Sequence, residues 1–244
     1  MNLKALIFDV DGTLADTEET RRGAFNQAFK EHALDWNWSK ATYAHLLTVA
    51  GCKERLAAYI NSLSLRPAER SALTERILSI HNSETDNYTR MVSAGQVPLR
   101  DGVARLIEEA RAAGVKLAIA SASAPRNIEA LLRSNLGPGA IERFSVIGAG
   151  DQVSRKKPAP DIYNWVLREL GEPARACVAF EDSANGLQSA KAAGIFTVVT
   201  PSPWTRDEDF SMADMVLPSL GAGLSLRDLE RSLGRATEYQ RECP

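Results

Sequence analysis

At 244 residues, with acidic and basic side chains nearly balanced to a formal net charge of -2, the chain is long enough for one large core or for a core plus a modest second lobe. Its 44% hydrophobic and 25% charged fractions exclude a disordered, fibrous or repeat-built protein. The even charge leaves no broad footprint for nucleic acid or an anionic membrane, and the apolar runs fall far short of the about 20 residues that span a bilayer.

The N-terminus lacks the basic, apolar and small-residue order of a signal peptide, so the mature chain is expected to begin near Met1. Cys52, Cys177 and Cys243 are odd in number and have neither ligand-pair nor disulfide-framework spacing, which fits a reducing cytoplasm. His32, His45 and His81 form no zinc-type pair, and packed or solvated roles are expected for them. A monomer that engages neither nucleic acid nor membrane is the expectation.

In chain order, Leu3–Val10 is an apolar run of strand length. The stretch from Asp16 to Ala94 then shows only helical patterns, such as Thr20–Lys30 with Ala24, Phe25, Ala28 and Phe29, and Ala68–Ile80 with Leu73, Ile77 and Ile80. Within it Trp36 and Trp38 are expected to pack in a core. From there strands and helices alternate. Gly102–Ala113 is amphipathic and stops at Gly114, Val115–Ala120 and Phe144–Ile147 are strand-like, and Pro160–Leu170 ends at Gly171. Cys177–Phe180, Ser183–Ala193 ending at Gly194, and Phe196–Val199 follow, with one more amphipathic segment at Leu224–Leu233. Short Val- and Ile-rich runs without alternation are strands buried on both faces. The expected fold is α/β, a doubly wound parallel sheet over residues 1–15 and 95–244 with an all-helical lobe, 16–94, inserted after the first strand. Leu14–Thr17 and Gly95–Pro98 would be the two connections.

In an open parallel sheet, ligands bind beyond the carboxyl ends of the strands. Here those ends carry Asp9-Val10-Asp11-Gly12-Thr13, then Ser121-Ala122-Ser123, then Glu181-Asp182-Ser183. Carboxylates crowded on one rim need a cation, and all-oxygen donors select magnesium, which also accepts phosphate oxygens. A carboxylate such as Asp9 can attack phosphorus, while Asp11, two residues on, can pass a proton to a leaving alcohol and take one from water. Lys157, held among Pro158 and Pro160, can offset phosphate charge, and Ser121 can donate to a phosphoryl oxygen.

These segments, in this order, resemble the haloacid dehalogenase superfamily of aspartate-nucleophile phosphotransferases. The resemblance covers the whole chain and implies a fold of that type, a Rossmannoid sheet with a cap. It implies Asp9 as nucleophile, Asp11 as acid/base, Ser121 and Lys157 as phosphate holders, and Mg2+ held by Asp9, the Asp11 carbonyl, Asp182 and, less directly, Glu181. The helical insert resembles the cap of the phosphoglycolate phosphatase and β-phosphoglucomutase branch. There Gly51, Lys53 and Arg55 would suit a second anionic group, Glu18 a sugar hydroxyl, and Ala122 the backbone wall of the site. Asp35-Trp36-Asn37-Trp38, Lys53-Glu54-Arg55, Lys156–Tyr163, Glu181–Leu187 and Thr205–Phe210 are closer still to the Calvin-cycle-associated CbbY-type phosphatases. That similarity implies a phosphorylated sugar as partner, with xylulose 1,5-bisphosphate as substrate, and leaves a sugar phosphomutase and a phosphoglycolate phosphatase as alternatives. One position departs from the branch: Arg21 stands where a histidine is usual.

Overall fold

The computed structural model describes residues 3–150 and 152–242. Met1 and Cys243 lie outside them. The apolar runs form six strands, β1 (Ala5–Phe8), β2 (Lys116–Ala120), β3 (Val146–Gly148), β4 (Cys177–Glu181), β5 (Phe196–Val199) and β6 (Met215–Val216). They make one parallel sheet in the order β3-β2-β1-β4-β5-β6. The order reverses between β1 and β4, which puts the crevice of a doubly wound sheet at the carboxyl ends of those two strands.

Among the described residues ten α-helices accompany the strands: α1 (Glu18–Glu31), α2 (Lys40–Leu46), α3 (Cys52–Ser62), α4 (Pro67–Glu75), α5 (Ile77–Ser93) and α6 (Val103–Ala112) come before β2, followed by α7 (Pro125–Leu136), α8 (Asp161–Leu170), α9 (Ala184–Ala192) and, after the last strand, α10 (Leu226–Glu242). Successive strand side chains point to opposite faces, so the two faces of the sheet collect different partners. Leu6 and Phe8 of β1 face Leu106 and Ile107 of α6, Leu131 of α7 and Leu229 of α10. Ala5 and Ile7 face Ile162, Tyr163 and Val166 of α8 and Ala190 of α9. Phe8 and Phe180 stack at 4.6 Å across the central pair of strands.

Of the helices after β1, α1, α2, α3 and α5 build a third cluster. Phe25 and Phe29 of α1 pack on Trp38 with ring centroids 4.6 and 4.9 Å away, and Trp36 meets Phe29 edge-on, as expected for core tryptophans. Truncating a ring such as Phe25 to alanine would cost about 3–5 kcal/mol. The single helix expected over Ala68–Ile80 is two helices meeting at Arg76. α4 buries none of its side chains, whereas α5 turns Ile80, Glu84, Tyr88 and Val92 inward, and the break lets the chain change face.

Two contacts bring this helical layer onto the sheet's rim. Trp204, in the loop after β5, packs edge-on against Tyr43 at 5.6 Å. Asn185, in the first turn of α9, donates to the Thr48 carbonyl at 3.1 Å. Among the described residues no helix is long and apolar enough to cross a membrane.

Candidate active site

The end of β1 turns sharply. The Asp9 N–H still donates to Phe180 O, and the Gly12 and Leu14 N–H groups then close a loop onto Ala15 O and Val10 O. Gly12 has φ +84°, and a Cβ there would lie 2.1 Å from Asp182 Oδ2. A residue with a side chain would therefore displace the Asp182 carboxylate. At the end of β4 a similar fit holds: a Cβ on Gly186 would lie 1.9 Å from Glu181 Oε2. Ser183 caps α9 by accepting from the Gly186 N–H.

Three carboxylates meet at this rim. Asp9, Glu181 and Asp182 each offer an oxygen, all within 4.8 Å of one another. The Lys157 ammonium donates to Asp9 Oδ1 at 2.8 Å and to Glu181 Oε1 at 2.6 Å. Tyr163 also donates to Glu181 Oε1, while Glu181 Oε2 is buried without a hydrogen-bond partner. Burial pushes the Asp9 carboxyl up to about 7 although Lys157 opposes the shift. Burial, reinforced by the charges of Asp9 and Glu181, pushes Asp182 up as well. Burial would lower Lys157, but Asp9 and Glu181 override it and hold the ammonium charged. Three carboxylates with one lysine among them fit a hard divalent cation held by oxygen donors.

Asp11 stands in a different setting. Burial alone would raise it, yet Arg21, helped by the Ser123 and Thr17 hydroxyls, holds it below the usual carboxylate range. Arg21 Nη2 donates to Asp11 Oδ1 at 2.7 Å and Thr17 Oγ1 to the same oxygen at 2.6 Å, while Ser123 donates to Asp11 Oδ2. Ser121 lies alongside, buried, its Oγ accepting from the Ser123 N–H at 3.1 Å.

One cavity is lined by Asp9, Asp11, Ser121, Ala122, Lys157 and Asp182 from the sheet's rim. Glu18, Gly51 and Arg55 close it from the helical layer, with Arg21 and Trp204. Arg55 is 3.6 Å from Glu18 Oε2 and also donates to Tyr43 Oη and Val49 O, and Tyr43 Oη donates to Glu18 at 2.5 Å. Of the residues picked from sequence, Glu181 sits behind Lys157, 1% exposed and off the cavity wall, and Lys53 lines a neighbouring cavity with Cys52, His81 and Lys156. Sequence reasoning missed Ser123, Tyr163 and Trp204 as members of the site. Ser123 had a signal, two residues past Ser121 at the same strand end. His32 is bonded to Ser83 and His81 approaches Cys52 and Glu84.

A family model, haloacid dehalogenase-like hydrolase, matches residues 3–194. The chain belongs to this family. It is 49% identical over 222 residues to protein CbbY of Rhodobacter capsulatus, covering 91% of this chain and 96% of the relative, and 49% identical over 219 residues to the plasmid-borne protein CbbY of Cupriavidus necator, covering 90% and 86%. The crystal structure of CbbY from Rhodobacter sphaeroides in complex with phosphate superposes with a TM-score of 0.86 at 43% identity, over 93% of this chain and 99% of that one. A mutant of the same protein in complex with xylulose-(1,5)bisphosphate matches with a TM-score of 0.88 at 43% identity and the same coverage. A β-phosphoglucomutase from Clostridium difficile shares the fold at 19% identity, with a TM-score of 0.74 over 97% of this chain and 99% of that one. The fold expected from sequence is thus the observed one, and the chain is an enzyme, a phosphoric monoester hydrolase.

Proposed function

We propose that the protein is a magnesium-dependent sugar-phosphate phosphatase that forms an aspartyl phosphate on Asp9 and hydrolyses a pentulose bisphosphate such as xylulose 1,5-bisphosphate. The observation that carries the reading is the rim itself: Asp9, Glu181 and Asp182 crowd together at the switch point of the sheet, with Lys157 paired to Asp9 and Glu181 and the Asp182 carboxylate left, among the described residues, without a cation in contact. The sugar bisphosphate is favoured by the 43% identity to a CbbY crystallised with xylulose-(1,5)bisphosphate. The β-phosphoglucomutase likeness, at 19% identity, supports the shared fold alone and does not favour a mutase.

In this reading residues 16–94 are the cap and 1–15 with 95–244 the core. Asp9 and Asp182 carboxylates, the Asp11 carbonyl and Glu181 would hold Mg2+. When bound, the ion neutralises the crowded carboxylates and draws charge from the phosphoryl oxygens. An Asp9 oxygen attacks phosphorus and the bond to the sugar oxygen breaks; Asp11, ionised in the free site, takes a proton from solvent as the ester binds and gives it to that oxygen. Water then attacks the aspartyl phosphate, Asp11 takes the proton, and inorganic phosphate leaves. Lys157 holds Asp9 in line and offsets the charge that builds on the phosphoryl group, and Ser121 donates to one of its oxygens. The helical layer keeps bulk water from the sugar while Arg55 and Glu18 meet its far end.

The test is phosphate release from xylulose 1,5-bisphosphate with and without Mg2+, for the wild type and Asp9→Asn. Release is expected to require Mg2+, and Asp9→Asn is expected to lose more than about 1,000-fold in kcat. Turnover by Asp9→Asn near the wild-type rate would sink the assigned nucleophile.

A further inference from the structure

Arg21 is 2% exposed and lies at the junction of four parts of the chain. One of its terminal nitrogens, Nη2, reaches Asp11 Oδ1 at 2.7 Å and Ser123 Oγ at 2.8 Å. The other, Nη1, reaches Glu84 Oε1 at 3.3 Å and Cys52 Sγ at 3.6 Å, and the guanidinium lies 4.3 Å over the Tyr88 ring. The rim below it belongs to Lys157, whose ion pairs go to Asp9 and Glu181. Among the described residues Arg21 is therefore the cation that pairs with Asp11.

Glu84 is 0% exposed and lies across Arg21 from the cavity, bonded to Arg21 and Thr85 with His81 close by. A buried carboxylate is costly unless it is paired, and this one lines no part of the cavity. Its geometry accounts for it. A guanidinium has five donors in a fixed plane, so fixing one edge against Glu84 aims the other edge. That other edge carries Asp11 and Ser123, and the Ser123 hydroxyl in turn donates to the second Asp11 oxygen.

We propose that Arg21 is the positioning residue for Asp11 and that Glu84 aims Arg21. The inference rests on the reading of Asp11 as the group that passes the proton. Thr17, Arg21 and Glu84 all belong to the helical layer or its entry, so the orientation of Asp11 depends on how that layer sits on the rim. A histidine at position 21 would be shorter and would lack the planar five-donor fork that meets Glu84 and Asp11 together. Arg21 and Glu84 therefore act as a unit.

The experiment compares leaving groups. Single-turnover rates at saturating ester are measured for xylulose 1,5-bisphosphate, whose leaving alkoxide needs a proton, and for 4-nitrophenyl phosphate, whose leaving phenolate does not. The variants are Arg21→Met and Glu84→Gln, with Asp11→Ala as control. Arg21→Met is expected to slow the sugar ester by about 100-fold and the aryl ester by less than about 3-fold, because general-acid catalysis contributes about 100- to 10,000-fold. Glu84→Gln should show the same discrimination at about tenfold, since it weakens the aim and leaves the donor in place. If Arg21→Met fails to fold, Glu84→Gln carries the test alone. Equal losses on both esters, with Asp11→Ala still discriminating, would overturn the positioning role. Equal losses in Asp11→Ala as well would instead overturn the reading of Asp11, and the inference with it.

Discussion

Asp9 and Asp11 are two residues apart on one turn, and the structure drives their carboxyl groups in opposite directions. Asp9 is pushed up to about 7 and Asp11 is held down. Asp9 is buried and Asp11 half-buried, and loss of water alone would raise both. Their cations separate them. At the rim one lysine serves Asp9 and Glu181 while Asp182 adds a third carboxylate. On the wall, Asp11 has a guanidinium and two hydroxyls, and Arg55 has Glu18 beside it. The rim is short of positive charge and is built to receive a cation and a phosphoryl group. The wall supplies its own counter-charges and is built to hold a shape.

The largest way to break that contrast is to remove the rim's one cation. Lys157→Met leaves Asp9 and Glu181 buried without a counter-charge, and losing one partner of such a pair costs about 3–5 kcal/mol of stability. It also removes a donor to the charge developing in the transition state, so kcat should fall by about 100- to 1,000-fold. Steady-state kinetics and urea unfolding on the same preparation check both. A kcat within about threefold of the wild type would show that the rim does not depend on Lys157, and the contrast between rim and wall would fail.

A smaller effect is expected on the wall. Arg55 lines the cavity, whereas Lys53 faces the neighbouring one. Arg55→Ala should therefore raise KM for xylulose 1,5-bisphosphate by about 10- to 100-fold, the worth of a charged hydrogen bond, and raise KM for a monophosphate of the same sugar far less. Lys53→Ala should change the ratio of the two KM values by a smaller factor. Equal effects of Arg55→Ala on both esters would mean that Arg55 serves Tyr43 and Val49 rather than a second phosphate.

The difference between rim and wall is also a difference in what a sequence can show. The rim's acidic and hydroxyl members follow strands that are continuous apolar runs, and strand ends in a parallel sheet fall on one edge whatever the loops do, so Asp9, Ser121 and Asp182 could be placed together from the pattern, while Lys157, in the loop after β3, was placed by its flanking prolines and the family resemblance. Asp11 was placed by its spacing from Asp9. The wall has no such rule. Which face of α5 turns inward depends on the break at Arg76, and no proline or glycine marks that break in the sequence. The pairing of Arg21 with Glu84 spans 63 positions, and that of Trp204 with Tyr43 joins the loop after β5 to α2. β6 escaped notice because two residues, Met215 and Val216, carry no period. Arg21 was visible as a departure from the usual histidine, but its partners needed coordinates.

The subtlest test sharpens the contrast from the wall's side. Burial pushes the Glu84 carboxyl from 4.5 up to about 7, with Arg21 opposing the shift. Below pH 4.5 the folded and unfolded chains both carry this proton. As the pH rises toward 7 the unfolded chain releases it and the folded chain keeps it, so Glu84 subtracts stability through that window, by at most about 3 kcal/mol, and nothing further above it. Glu84→Gln cannot titrate. The unfolding free energy of Glu84→Gln minus that of the wild type should therefore climb between pH 4.5 and 7 and level off beyond, as read from urea midpoints across the range. Such a slope would mean that Arg21 and Glu84 form a full ion pair only at the alkaline end. A flat difference would mean that Arg21 keeps Glu84 ionised throughout, in which case the wall's charges are matched as tightly as those between Lys157 and the rim.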